Sequence, residues 1–140
     1  MNLRKWNEKI KQVNPVKAFY DYVNDNPTIF IDVLKDQMNR GESGEGFITP
    51  GYASTTYQNE KRGRNPNAGG RPDLYDTGAF YAGFKQQTSF RNTEMDIRFY
   101  STDEKNTALT KKYSFIWTFN AESISKLKPI ILRDFKNYLL

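Results

Sequence analysis

The chain has 140 residues, one domain's worth of length, with 37% hydrophobic and 15% aromatic content and a net charge of +5. It contains neither Cys nor His, which removes disulfides, thiolate chemistry, the commonest general base and the commonest metal ligand. No run approaches the ~20 apolar residues of a membrane span, and Met1-Asn2-Leu3-Arg4-Lys5-Trp6 lacks the apolar core of a signal peptide, so a soluble protein is expected.

The elements follow in chain order. Leu3, Trp6, Ile10 and Val13 step by three and four, which predicts an amphipathic helix over 3–13. Asn14-Pro15 reads as an N-cap with Pro at the first helical position, opening a helix with Val16, Phe19, Tyr20 and Val23. Asn26-Pro27 repeats the signal before Ile29, Phe30, Val33, Leu34 and Met38, with Gly41 placed to end that helix. Residues 41–72 then hold seven of the nine glycines and three of the six prolines, with few aliphatics. A segment of this kind predicts an extended arm that orders against a neighbour.

Residues 73–82 predict a short helix capped by Asp76 or Thr77. Alternation over Phe84, Gln86, Thr88 and Phe90, then Met95, Ile97 and Phe99, predicts a β-hairpin turning at 91–93. A short helix is expected over 104–113, with Ala108 and Leu109 inward, and a strand over Tyr113–Phe119 by propensity. Asn120 or Ser123 caps a closing helix with Ile124, Leu127, Ile130, Ile131, Phe135, Tyr138 and Leu139, which Pro129 should kink or whose first turn it should split off. The expected fold is α+β: N-terminal helices and a C-terminal helix packed on a small antiparallel sheet, with a long Gly-rich arm, in a single domain over 1–140.

Candidate chemistry is sparse. A serine nucleophile has no histidine to activate it. Pro72-Asp73 and Asp103-Glu104-Lys105 match the loose carboxylate words of metal-dependent nucleases, where carboxylates hold Mg²⁺ and Lys attends the attacking water. Such short words arise by chance in a chain that is 26% charged. Asp76-Thr77-Gly78 matches the aspartic-protease triplet but lacks its apolar strand and partner segment. No catalytic residue, metal ligand or cofactor is assigned, and the chain is read as no enzyme. Tyr52, Tyr57, Arg62, Arg64 and Arg71 form the candidate interface: the basic cluster fits a protein contact, phosphate contact or a solvated loop.

Three stretches carry a family resemblance: Leu34–Gly41 leading into glycine-rich sequence, the word Leu74-Tyr75-Asp76-Thr77-Gly78-Ala79-Phe80, and Phe115–Leu140 with Lys126-Leu127-Lys128-Pro129-Ile130-Ile131 inside it. Together, over about residues 30–140, the chain resembles small morphogenesis proteins of tailed phages, of the minor tail, tail-completion or head–tail joining type, closest in pattern to phages of Bacteroides-like hosts. The resemblance implies a virion component without an active site. It would be assembled in the host cytoplasm into a homo-oligomeric ring of the neck or tail, contacting portal, neck or tail proteins and packaged DNA, with no membrane partner. The alternative reading, from charge and aromatics, is a basic nucleic-acid-binding module.

Overall fold

A computed structural model describes residues 4, 5, 8, 14–91 and 94–139. The helix expected over 3–13 therefore falls largely outside the described residues, as does the tip of the expected turn at 92–93; Arg4, Lys5 and Glu8 are helical. Helix α1 spans Pro15–Asp25, and Asn14 caps it by accepting hydrogen bonds from the Val16 and Lys17 amides at 3.1 and 3.2 Å. Helix α2 spans Pro27–Asn39, and Gly41 ends it with φ +71°, a left-handed conformation that glycine takes without a Cβ penalty.

Helix α2 buries Phe30, Leu34 and Met38 of its expected stripe and half-buries Ile29 and Val33; in α1 only Val23 of the expected stripe is fully buried, with Val16, Phe19 and Tyr20 half-buried, and Ala18 and Tyr22 complete the buried face. Tyr22 of α1 and Gln37 of α2 are fully buried. Gln37 uses both ends of its amide: Nε2 donates to the Thr118 carbonyl at 2.8 Å, and Oε1 accepts from the Asn120 amide and the Ser123 hydroxyl at 2.8 and 2.7 Å. Those partners open the closing helix, α6, over Ala121–Leu139, which Asn120 caps through the Ser123 amide. Helix α6 packs along α1 and α2, seating Phe135 edge-on to Phe19 and Tyr138 edge-on to Tyr22. It runs through Pro129 as one helix, so the run is not split there. Pro129 and Ser125 both lie on its exposed face, so the carbonyl that loses its donor faces water.

The hairpin forms as expected. Strands β3 (Phe84–Arg91) and β4 (Glu94–Ser101), numbered after β1 (Glu42–Ser43) and β2 (Gly46–Phe47), pair antiparallel from Phe84 with Ser101 to Arg91 with Glu94. Their inward side chains meet α1 and α2, and Gln86 donates to the Val23 carbonyl at 3.0 Å. Short helices follow at α4 (Ala79–Ala82) and α5 (Asn106–Lys112), numbered after α3 (Thr55–Arg64). Thr77 accepts from the Ala79 amide, one of the two cap candidates, although Gly78 holds the cap position. In α5, Ala108 is exposed and Leu109 half-buried. The α+β class stands. Among the described residues no helix is long and apolar enough to cross a membrane.

Two expectations are corrected. Residues 113–119 are not a strand. Phe115 sits at φ +60°, which breaks any extended run, and the buried residues are Tyr113 and Ile116, three apart rather than two. Residues 41–72 are not an extended arm. They fold within the single chain into the β1–β2 hairpin, α3 and a 3₁₀ turn at Pro66–Ala68, and they bury Ile48, Lys61 and Ala68. The periodicity of α3 is invisible because only Lys61 of its residues is buried.

Candidate interaction surface

Helix α3 begins where the Ser54 hydroxyl accepts from the Tyr57 amide at 3.2 Å, and it ends on Lys61, Arg62 and Arg64, cations favoured by the carboxyl end of a helix. Lys61 is 5% exposed and meets Asp73, 2% exposed, at 2.7 Å. Both members of the pair have further hydrogen-bond partners. Lys61 Nζ also donates to the Tyr75 carbonyl at 2.6 Å; Asp73 Oδ2 accepts from Asn65 Nδ2 at 2.9 Å, and Oδ1 from the Tyr75 amide at 3.0 Å. Asn65 reaches on to the Asn39 carbonyl at the end of α2, and the Tyr81 hydroxyl donates to the Asp73 carbonyl. This clasp ties α3, the 72–75 segment and α2 together.

Lys61 of the clasp also lines a cleft of about 140 Å³, together with Tyr52, Tyr57, Leu74, Tyr75 and Tyr113. Leu74 holds φ +57°, a conformation uncommon for a side chain of its size, and it turns Tyr75 outward. Burial, then the charge of Asp73, pushes the Tyr52 and Tyr81 hydroxyls well above the ordinary phenol range, so both stay neutral.

The five residues singled out in the sequence separate into three groups. Tyr52 and Tyr57 come together edge-to-face at 4.8 Å in the cleft wall. Arg62 and Arg64 are exposed on the last turn of α3, and Arg62 also holds the Gly69 carbonyl at 3.3 Å. Arg71 lies elsewhere. Its guanidinium sits 3.9 Å from the Phe47 ring centre and donates to the Arg40 carbonyl at 3.3 Å, so it supports the loop rather than meeting solvent freely.

Sequence reasoning missed Phe47, Tyr75 and Phe115 as surface groups. Phe47 is 58% exposed at the β1–β2 hairpin and Phe115 is 51% exposed. The Phe115 carbonyl accepts from the Gly44 amide at 2.8 Å, which docks that hairpin on the 113–119 turn. The only advance signal was aromatic density in segments poor in aliphatics.

The carboxylate words do not converge. Asp73 is consumed by the clasp, Asp103 accepts from the Lys105 amide, and Lys105 faces Asp76 at 3.5 Å. Among the described residues no group of three or more carboxylates could hold a metal ion. Comparison with family models, with curated proteins and with solved structures finds no match for this chain.

Proposed function

We propose that the chain is a structural protein of a tailed-phage virion, packing subunit against subunit in an oligomeric ring of the neck or tail. The observation that carries this reading is a set of large rings, Phe47, Tyr57, Tyr75 and Phe115, exposed on segments braced by the Lys61–Asp73 clasp, by Arg71 against Phe47 and by the Gly44 amide on the Phe115 carbonyl. Rigid exposed aromatics are what interface centres use, since ordering them on association costs little entropy. The resemblance of Leu74–Phe80 and Phe115–Leu140 to phage morphogenesis proteins supplies the virion context. A ring requires head-to-tail contacts that close by rotation, and those rings provide one side of such a contact.

The test is direct. The purified chain should form closed rings by negative-stain microscopy, and gold-tagged antibody should label the neck or tail of the virion. Phe47→Ser with Tyr75→Ser should abolish rings while keeping the far-UV spectrum. Absence of label from virions, or rings indifferent to that double change, overturns the reading.

One observation favours nucleic acid as a second reading: Arg62 and Arg64 are both exposed on the last turn of α3. Retention on DNA that falls steeply with salt, and drops in Arg62→Ala with Arg64→Ala, would support it. No retention at low salt removes it.

A further inference from the structure

The hairpin β3–β4 is a sheet of two strands, so β4 has an outer edge. The ladder register decides which groups that edge presents. The Thr102 amide donates to the Gly83 carbonyl directly opposite, at 2.9 Å, so 83 and 102 are a hydrogen-bonded pair. Counting inward by twos, residues 100, 98, 96 and 94 also bond across the hairpin, and the amides and carbonyls of Met95, Ile97, Phe99 and Ser101 point away from it. The Ser101 amide is taken by Asn106 Oδ1 at 2.9 Å, as this parity requires. Met95, Ile97 and Phe99 have no backbone partner on that side among the described residues. A groove of about 330 Å³ lies along this edge, between Ile97–Tyr100 and Trp117.

The outer face of β4 carries opposite charges two residues apart. Asp96 lies directly opposite Ser89 and Arg98 directly opposite Gln87, so neither faces a countercharge at its own rung; Arg91 is the diagonal neighbour of Asp96 but forms no ion pair with it, and neither Asp96 nor Arg98 is ion-paired among the described residues. We infer that β4 is a docking edge for a second copy of this chain, in antiparallel register about Ile97. In that register Ile97 pairs with its counterpart and Met95 with the second copy's Phe99, each pair exchanging both N–H···O=C bonds. The same register sets Asp96 opposite the second copy's Arg98, twice by symmetry, in the close non-hydrogen-bonded positions. Hydrogen-bond parity and charge pattern thus select one alignment independently. The half-buried Met95 and Ile97 side chains lose further water in the joined four-stranded sheet. A two-fold contact closes on itself, so this dimer stands apart from any ring and does not rest on the virion reading.

Charge reversal tests both the edge and the register. With the proposed ring contact removed by Phe47→Ser and Tyr75→Ser, the full-length chain should sediment as a dimer in dilute solution. Asp96→Arg alone and Arg98→Asp alone should each raise the dissociation constant on the order of tenfold, by placing like charges opposite. The two reversals combined restore unlike pairs and should restore the dimer. Because the chain has no cysteine, Asp96→Cys chains mixed with Arg98→Cys chains and oxidised should give a covalent heterodimer, even where larger assemblies coexist. Ile97→Pro removes a central edge donor without touching the hairpin ladder and should give a folded monomer. A chain without the ring contact that yields no dimer and no mixed crosslink overturns the inference, as does a folded double reversal that fails to recover.

Discussion

At the scale of single residues the molecule turns on a few close approaches. Gly44 is one. A Cβ there would lie 1.8 Å from Thr118 Oγ1 and 2.9 Å from Thr118 Cβ, so neither a rotamer change nor a small shift clears it. Gly44→Ala should cost about 1–3 kcal/mol, the usual price of overpacking, read as a lower urea midpoint at unchanged m-value. The Lys61–Asp73 pair is another. Removing one partner strands a buried charge, so Lys61→Met or Asp73→Leu should each cost about 3–5 kcal/mol, whereas the two together should cost clearly less than the sum. A double-mutant cycle by denaturant unfolding measures the difference. An additive cycle would mean that the pair does not act as a unit.

At the scale of elements, what the sequence discloses depends on how an element buries itself. Helices α1, α2 and α6 and the β3–β4 hairpin bury apolar stripes, and their periods and Asn-Pro starts were readable. Helix α3 buries a lysine, so hydrophobic periodicity had nothing to register; Ser54 and the terminal cations were its only marks. Residues 113–119 have strand propensity throughout, yet tertiary contacts with Gly44 and Gln37 override it, through a positive φ at Phe115 that no composition encodes. Tyr52 and Tyr57 of the candidate surface were legible as aromatics in a loop region. Phe47 and Phe115 were not, because whether a ring is buried or presented is set by contacts distant in the chain.

The junction of α2 with α6 shows the same principle as a test. Gln37→Leu leaves the Asn120 amide, the Ser123 hydroxyl and the Thr118 carbonyl without their buried partner. At about 1–3 kcal/mol for each group that water cannot reach, the loss should exceed that of Asn120→Ala, a cap change of about 1 kcal/mol. Thermal unfolding of the two variants side by side gives the ordering, and equal effects would count against the junction.

Across the whole molecule, stability should fall on the alkaline side. Tyr52 and Tyr81 have hydroxyls raised by burial and by Asp73, while an unfolded tyrosine ionises near about 10. The folded state therefore holds protons that the unfolded state releases. Their contribution is complete below that value and is lost as pH rises toward the folded pKa values, with a slope on the order of 1.4 kcal/mol per pH unit for each group. Urea unfolding between pH 8 and 11 checks this, and Tyr52→Phe should flatten the descent. A profile that does not bend near about pH 10 would contradict it.

The outer edge of β4 has a consequence for chains that are not copies of this one. An open edge is a template that any extended segment could extend, and unfolded or foreign strands in a crowded cell supply many. Here each newcomer must bring a cation opposite Asp96 and an anion opposite Arg98, in a register that also matches the amides of Ile97. A neutral strand would leave both charges partly desolvated and uncompensated. The alternation therefore works as a password: it admits kin and turns away strangers, and it does so without covering the edge.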